Sequence, residues 1–279
     1  MRWPAHRLVL SVHNVTTGLA VLLGVVQGVT EFLPISSKTH LVVVPALLGK
    51  SPPSLAFITL LHLGTLVALV VYFSRDLARI LVDLPKPGSD GRKLLGLLVL
   101  ATIPAAVIGL LFEETFERLL GHPREAAFAL LATAFLLVAA EWVAGTFRRG
   151  RRLPKPLGTE IGTRSAAAIG VAQAVALLPG VSRSGVTMST GLALGIRRDA
   201  VARFSFLMAI PAITGANVLE LGDVLSDGVG APEVAGFAAA LVTGYASVAL
   251  LLRFLRRFSY LPFAVYCAIF AIAAGLALE

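Results

Sequence analysis

The chain has 279 residues, of which 57% are hydrophobic and only 14% are charged. Soluble domains carry about 25% charged residues, so the composition excludes an ordinary soluble domain and favours the lipid bilayer as solvent. The net charge of +8 could suggest a nucleic-acid partner, but the basic residues cluster in short loops between apolar runs, as in membrane proteins. We therefore expect no nucleic-acid binding.

The first apolar stretch, 19–26, follows basic residues and continues directly into Gln27 and Glu31. No small-residue cleavage site follows it, so we interpret it as retained structure rather than a signal peptide. The single cysteine, Cys267, excludes an intramolecular disulfide and a CxxC metal site. Because it lies in an apolar run, it is expected to be a packing residue.

Long apolar runs define the predicted spanning helices, because a helix needs about 20 apolar residues to cross the bilayer core. The six runs are 55–73, 94–112, 126–145, 200–219, 234–252 and 260–278. Two further apolar stretches, 18–49 and 165–196, are interrupted by polar residues and by Pro or Gly. Irregular backbone at membrane depth is tolerated only inside protein or beside a wet cavity. Each stretch is therefore predicted to form a re-entrant hairpin of two half-helices.

The two broken stretches resemble each other. Residues 24–29 align without a gap on residues 170–175, and in the same register Ser36 falls on Ser182. Each stretch is followed by three predicted spanning helices, and because three is odd, the second copy should enter the membrane inverted.

The predicted fold class is therefore an all-α integral membrane protein with two inverted repeats, each a re-entrant helical hairpin plus three transmembrane helices. Residues 1–279 form a single membrane domain. Repeat one covers about 14–145, repeat two covers about 165–279, and a basic cytoplasmic loop, 146–164, joins them.

The charges of the predicted loops give an orientation. Basic residues predominate in loops 74–93, 146–164 and 253–257, whereas acidic residues predominate in 113–125 and 220–233. By the positive-inside rule the first three face the cytoplasm and the other two face outward. The first hairpin then enters from the outer face, the second enters from the cytoplasm, and both termini lie outside.

The first hairpin contains the polar residues that suit catalysis. Gln27 and Glu31 are four residues apart and share one helix face. A carboxylate at membrane depth is costly, so a functional role is the default hypothesis. Five polar residues follow Pro34 closely: Ser36, Ser37, Lys38, Thr39 and His40. Together they offer a candidate nucleophile, a candidate base and a cation.

The second hairpin carries a turn suited to an anion. Arg183 offers a planar fork that matches phosphate oxygens, and Gly180 lets the backbone approach a ligand closely. A half-helix starting near Gly185 would present free N–H groups to an anion. Hydroxyl donors come from Ser182, Ser184 and Thr187. Pairing of Arg183 with Glu31 would let each charge tolerate burial.

These two turns carry a family resemblance. Residues 27–37, Gln-Gly-Val-Thr-Glu-Phe-Leu-Pro-Ile-Ser-Ser, with His40, and residues 178–187, Leu-Pro-Gly-Val-Ser-Arg-Ser-Gly-Val-Thr, resemble the two signature motifs of the undecaprenyl-pyrophosphate phosphatase family, also called the bacitracin-resistance family. Residues 203–211 and 262–266 are similar to further segments that the family shares.

The resemblance implies hydrolysis of undecaprenyl pyrophosphate to the monophosphate carrier lipid and phosphate, which recycles the carrier for cell-wall synthesis and confers bacitracin resistance. It implies a polyprenyl pyrophosphate partner, a divalent cation (Mg or Ca), the bacterial inner membrane, and a site open to the outer face. The implied catalytic residues are Glu31, Ser37, His40 and Arg183. The implied substrate-binding residues are Gln27, Ser36, Lys38, Gly180, Ser182, Ser184 and Thr187, and the implied metal ligands are Glu31 and Gln27.

The chain departs from the family pattern at several positions. Gln27 stands where many members have a second glutamate, and Lys38 and Thr39 replace a Thr-Gly pair. His62 lies where glutamine is expected, and Cys267 lies where an arginine often follows the tyrosine.

Ser37 is the predicted nucleophile, with His40 as its base, because residues three apart are neighbours on a helix. A histidine can take the proton that a serine hydroxyl must lose. Two alternatives stay open: His40 attacks phosphorus itself, or it activates water while Ser37 holds the phosphate. Ser36 is the weaker serine candidate.

A secondary transporter or lipid flippase is the rival class, since inverted repeats with broken helices suit alternating access. A channel or a purely structural protein is a third reading. The sequence leaves the oligomeric state open, with a homodimer as one alternative.

Overall fold

The computed structural model describes residues 15–119, 122–148, 161–178 and 180–278. These residues form eleven α-helices and no strand: α1 Thr17–Phe32, α2 Ser37–Leu47, α3 Leu55–Tyr72, α4 Ser74–Asp83, α5 Asp90–Leu119, α6 Pro123–Arg148, α7 Thr163–Val175, α8 Arg183–Ala193, α9 Arg198–Asp227, α10 Ala231–Leu255 and α11 Leu261–Ala277. The prediction of an all-helical chain is confirmed.

Five helices in the described part of the chain are long and apolar enough to cross a membrane. The spans are Leu55–Tyr72, Asp90–Leu111, Pro123–Gly145, Arg198–Glu220 and Ala231–Leu255. They match five of the six predicted runs, and the sixth run forms α11, a shorter apolar helix of 17 residues.

Large apolar side chains cover the outside of these helices. Leu111, Phe135 and Trp142 are 71%, 71% and 72% exposed. Apolar exposure over whole helix faces is unfavourable in water but matches a hydrocarbon solvent. The protein is therefore a multi-pass membrane protein.

Both interrupted stretches fold as two helices joined by a turn, as predicted. Helices α1 and α2 are joined by residues 33–36, and α7 and α8 by residues 176–182. Helix α1 ends at Phe32 because Leu33 precedes Pro34, whose ring disfavours the helical conformation of the residue before it. Leu33 is extended, with φ −66° and ψ 145°. In the second turn, Pro179 lies outside the described residues.

The predicted loops are wrong in extent. Residues 74–93 include helix α4, and Asp76 on this helix pairs with Arg203 of α9. The ends of α5, α6 and α9 also extend into 113–125 and 220–233. A helix that leaves the apolar layer can continue with charged residues, so hydropathy detects its membrane portion only. Most of the basic loop 146–164 and residues 1–14 lie outside the described residues.

Each hairpin begins with a helix that packs closely on a long helix: α1 on α10, and α7 on α5. The aligned glycines Gly24 and Gly170 lie at these two contacts. A Cβ atom on Gly24 would meet the backbone oxygen of Gly236, and one on Gly170 would meet the backbone of Ala101. Small residues let helix backbones approach in membranes, where packing drives association.

The remaining helices enclose the two turns. Helix α3 packs on α9 and α10, α5 packs on α9, and α6 packs on α8 and α11. At one end, Arg198 of α9 forms a two-pronged ion pair with Glu141 of α6. Glu141 also accepts the backbone N–H of Tyr260 at 2.7 Å, which ties α11 to the same point. These contacts fix the frame in which the hairpin turns meet.

Candidate active site

The two hairpin turns meet through side chains from both halves of the chain. Arg183 Nη2 lies 2.5 Å from Glu31 Oε1. Beside this ion pair, the hydroxyl of Ser184 donates to the carbonyl of Leu33 at 2.9 Å. The predicted pairing of Arg183 with Glu31 is confirmed, and it joins the end of α1 to the start of α8.

The carboxylate of Glu31 is buried and has donors on both oxygens. Its Oε2 atom accepts from Ser37 Oγ at 2.6 Å and from Gln27 Nε2 at 3.0 Å. His62 Nε2 lies 3.5 Å from the same oxygen. Burial of a charged group is costly unless it is paired and hydrogen-bonded. These donors explain how Glu31 is accommodated at only 8% exposure.

Ser37 is the first residue of α2, and the residue before it has an unusual backbone. Ser36 has φ 66° and ψ 94°, and among the described residues it is the one non-glycine with positive φ. Such conformations cost energy and cluster at functional sites. Ser36 makes no side-chain capping bond to α2; its hydroxyl instead lies 3.1 Å from that of Thr39.

His40 faces away from Ser37. Its Nδ1 lies 2.8 Å from the carbonyl oxygen of Ser36. Its Nε2 lies 2.8 Å from the hydroxyl of Tyr266, and its ring stacks on Phe270 with centroids 4.4 Å apart. Ser37 and its predicted base, His40, are therefore not hydrogen-bonded to each other. Ser37 donates to a carboxylate, which as a charged acceptor makes the stronger bond.

The second turn is built on a side chain of α6. Thr133 Oγ1 donates to the carbonyl of Gly180 at 2.9 Å and accepts the N–H of Ser182 at 3.0 Å. Gly180 has φ 76°, a left-handed conformation that suits glycine. Ser182 then caps α8 by accepting the N–H of Gly185 at 3.1 Å. Helix α8 therefore begins at Arg183, two residues before the predicted start.

The predicted site residues fall into two groups. One group forms the hydrogen-bonded centre: Gln27, Glu31, Ser37 and Arg183. The others make supporting bonds around it, such as Ser182 to Ser184 at 3.1 Å and Thr187 to Ser205 at 2.7 Å. Lys38 is exposed beside Ser37.

Two buried polar atoms in the centre have no hydrogen-bond partner: Arg183 Nη1 and Gln27 Oε1. Buried polar atoms are nearly always satisfied, so an orphan at a functional centre needs an explanation. The guanidinium nitrogen suits an anion, and the amide oxygen suits a donor or a cation. Both flank Glu31, so the centre can take a ligand that carries negative charge.

A metal ion would find few protein ligands here. The described residues contain no group of three or more His, Cys, Asp or Glu side chains placed to hold one. Glu31 and the unpartnered Gln27 Oε1 offer two oxygen sources. This set fits a hard cation such as Mg²⁺, which binds through one or two carboxylates and takes its other ligands from substrate phosphates and water.

Three residues that contact the two turns were not among the predicted site residues: His62, Thr133 and Tyr266. His62 was noted only as a departure from the family, and Tyr266 only as part of a shared segment. Nothing in the sequence indicated Thr133, because a threonine in an apolar helix ordinarily bonds a carbonyl of its own helix.

The fold and this centre define a polytopic membrane protein with a buried polar site. A family model described as bacitracin resistance protein BacA matches residues 20–273. The undecaprenyl-diphosphatase of Rubrobacter xylanophilus is 45% identical, over 92% of this chain and 96% of the relative. Those of Thermomicrobium roseum and Geobacter sulfurreducens are 42% and 41% identical, over 93% and 88% of this chain and 95% and 93% of the relatives. The chain belongs to the bacitracin resistance protein BacA family, as the resemblance predicted.

Proposed function

We propose that this protein is an undecaprenyl-diphosphatase. It hydrolyses undecaprenyl pyrophosphate to undecaprenyl phosphate and phosphate, which recycles the carrier lipid for cell-wall synthesis and confers resistance to bacitracin. The observation that carries the proposal is the Ser37–Glu31–Arg183 chain at the contact of the two turns, with Arg183 Nη1 buried and unpartnered. Relatives over nine-tenths of the chain carry this enzyme's name.

Arg183 is the proposed phosphate clamp. Its fork presents two nitrogens: Nη2 bonds Glu31 and Nη1 is unpartnered. A phosphate oxygen at Nη1 would satisfy the orphan, and charge developing on the transferred phosphoryl group would face a fixed cation in a site with little water. Stabilisation of that charge supplies most of the catalysis of phosphoryl transfer.

Ser37 is the proposed nucleophile, and Glu31 is its base. The hydroxyl hydrogen of Ser37 already points at Glu31 Oε2, 2.6 Å away. As Oγ attacks the terminal phosphorus, its proton passes to Oε2, and the P–O bond to the lipid monophosphate breaks. Glu31 gives this proton to the departing lipid monophosphate, which restores its carboxylate. Water then attacks the phosphoserine, and Glu31 takes a proton from this water and passes it to Oγ as the P–Oγ bond breaks. The second step releases phosphate and restores the hydroxyl.

The hydrogen bonds of His40 argue against its two alternative roles. A nucleophilic or basic histidine needs a free lone pair. The carbonyl of Ser36 can only accept, so Nδ1 carries the hydrogen. The Nε2 lone pair then accepts the hydroxyl of Tyr266. Attack by His40 on phosphorus, or activation of water by it, would require both nitrogens to be rearranged.

A divalent cation, Mg²⁺ or Ca²⁺, is the proposed cofactor. Glu31 and Gln27 would hold it, since the Gln27 amide bonds the carboxylate through Nε2 and leaves its Oε1 unpartnered. When bound, the cation would neutralise the pyrophosphate, whose several charges exceed what Arg183 balances. With or without a cation, Gln27 orients Glu31 by donating a hydrogen bond from Nε2.

We propose that the two halves are inverted repeats and that the site opens to the outer face of the inner membrane. Helix packing supports this, because contacts recur when the halves are exchanged. The pair α1 and α10 corresponds to α7 and α5, and the pair α3 and α10 corresponds to α9 and α5. Equivalent helices also pack together, α3 with α9 and α6 with α11. Both features are expected of two halves related by a pseudo-two-fold axis.

The function is tested by phosphate release from undecaprenyl pyrophosphate by the purified protein in detergent. Arg183→Lys keeps the charge but loses the fork, so we expect turnover to fall by about two to three orders of magnitude, as for loss of a donor to developing charge. The exposed Arg197→Lys, whose arginine pairs with Asp199 in the same turn, is the matched control. If the wild type released no phosphate, a transporter would be favoured. A fully active Arg183→Lys would contradict the proposed role of Arg183 as the phosphate clamp.

Ser37→Ala should lose phosphate release by about three orders of magnitude or more, because a nucleophile and its base act as one unit. Substrate labelled in its terminal phosphate should leave label on wild-type protein as an acid-stable phosphoserine. Ser247→Ala on α10, a buried serine that bonds the carbonyl of Thr243 in its own helix, should keep wild-type labelling. An acid-labile phosphohistidine would assign the attack to His40 instead.

Metal dependence is tested on Gln27→Leu, which removes the unpartnered oxygen but keeps Glu31. We expect the Mg²⁺ concentration for half-maximal turnover to rise by about tenfold, the loss typical of a disturbed metal site. Gln173→Leu is the matched control, because Gln173 is the aligned residue of the second hairpin and its Oε1 is also buried and unpartnered. Full turnover in excess chelator would contradict a cation cofactor.

Orientation is tested by labelling single cysteines in intact cells, in a Cys267→Ala background. Lys50→Cys, exposed after α2, should react with an impermeant thiol reagent from outside. Arg257→Cys, exposed after α10, should react only after the membrane is opened. Labelling of both from the same side would contradict the proposed orientation.

A further inference from the structure

Tyr266 of α11 reaches the catalytic turn across 226 residues of sequence. Its hydroxyl lies 2.8 Å from His40 Nε2, and the opposite ring nitrogen lies 2.8 Å from the carbonyl of Ser36. None of its described contacts touches Glu31, Ser37 or Arg183. Among the described residues, its link to the catalytic turn is His40.

The acceptor at Nδ1 fixes the direction of this chain of bonds. A carbonyl oxygen cannot donate, so the hydrogen of neutral His40 is on Nδ1 and the lone pair is on Nε2. The Tyr266 hydroxyl must then donate to Nε2. Its donation stabilises this tautomer, since the other tautomer would place N–H against the tyrosine and a lone pair against the carbonyl.

The series of hydrogen bonds from Tyr266 through His40 ends at the carbonyl of Ser36, which is the strained residue. With φ 66°, Ser36 holds a conformation that a non-glycine adopts only when its surroundings impose it. The backbone N–H of His40 reaches this carbonyl at 3.4 Å, so the side-chain bond at 2.8 Å is the shorter restraint. The peptide that it orients leads directly into Ser37.

We infer that Tyr266 is a positioning residue of the reaction. Its hydroxyl keeps His40 in the Nδ1–H tautomer, His40 holds the carbonyl of Ser36, and the strained turn keeps the Ser37 hydroxyl against Glu31. The inference rests on the proposed function, because it assigns a role in the attack by Ser37. It gives His40 and Tyr266 a shared function that requires no proton transfer by either.

Simple packing by the tyrosine ring predicts something different. The ring of Phe270 stacks on His40 at 4.4 Å, closer than that of Tyr266 at 5.7 Å. Tyr266→Phe keeps the ring and removes only the hydroxyl, so a packing role predicts little change. The matched control is Tyr245→Phe on α10, whose ring packs edge-on against Tyr72.

Phosphate release is measured for these variants after each is shown to match the wild-type Tm in detergent. We expect Tyr266→Phe to lower kcat by about 10- to 100-fold, as for loss of a hydrogen bond that orients an active residue. KM should change by less than about twofold, since substrate binding is untouched. Tyr245→Phe should stay within about twofold of wild type in both constants.

Two further measurements separate positioning from a general structural role. Nitrogen-15 NMR of histidine-labelled protein, assigned with His40→Gln, should show Nδ1 protonated in the wild type and a mixture of tautomers in Tyr266→Phe. In a Ser36→Gly background, positive φ at this position carries no strain. There Tyr266→Phe should lower kcat by less than about threefold. A double-mutant cycle reports the difference between the two backgrounds as coupling between Tyr266 and Ser36.

An unchanged kcat in Tyr266→Phe, or an equal loss in both backgrounds with an unchanged NMR spectrum, would overturn the inference. If the wild type released no phosphate, the proposed function would fail first. The NMR spectra would then still decide whether Tyr266 sets the tautomer of His40.

Discussion

The ion pair between Arg183 and Glu31 is the contact on which the arrangement of both hairpins depends. Neither charge could be buried inside the protein alone, because removal of one partner leaves an uncompensated charge. In the pair, each turn supplies the charged partner that the other turn needs in place of water. The two halves of the chain must therefore come together before either polar turn is stable, and the site exists only in the assembled protein.

Around this pair, the protein supplies a donor for nearly every polar group and leaves two atoms unsatisfied. Arg183 Nη1 and Gln27 Oε1 are the orphans, one a donor and the other an acceptor. A polar network in a low-dielectric interior is stable only when it is satisfied. A ligand that completes it would gain the bonds that the protein lacks, and the unpartnered guanidinium nitrogen suits an anion.

The strained turn at Ser36 shows how helices outside the hairpins take part. Thr133 of α6 shapes the arginine turn, and Tyr266 of α11 reaches the serine turn through His40. The two turns occupy aligned positions, yet they differ in backbone. Ser182 caps its helix in an extended conformation, whereas Ser36 is left-handed and makes no capping bond. The two aligned turns therefore differ in how they lead into their second helices.

The sequence by itself determined the membrane solvent, the two interrupted stretches, the family and the four residues of the centre. Each of these follows from composition, from Pro and Gly, or from short motifs in which neighbours along the chain are neighbours in space. Glu31 and Gln27, on one helix face, are the clearest case. The extended helix ends were missed because charged residues continue a helix beyond the apolar layer.

The tertiary structure decided which side chains bond each other. Spacing alone made His40 the partner of Ser37, but the hydroxyl turns to Glu31 and the imidazole turns to a helix near the far end of the chain. A sequence pattern reports which residues share a helical turn. It does not report which competing acceptor is closest once distant helices pack, and the choice of acceptor sets the chemistry of a hydroxyl.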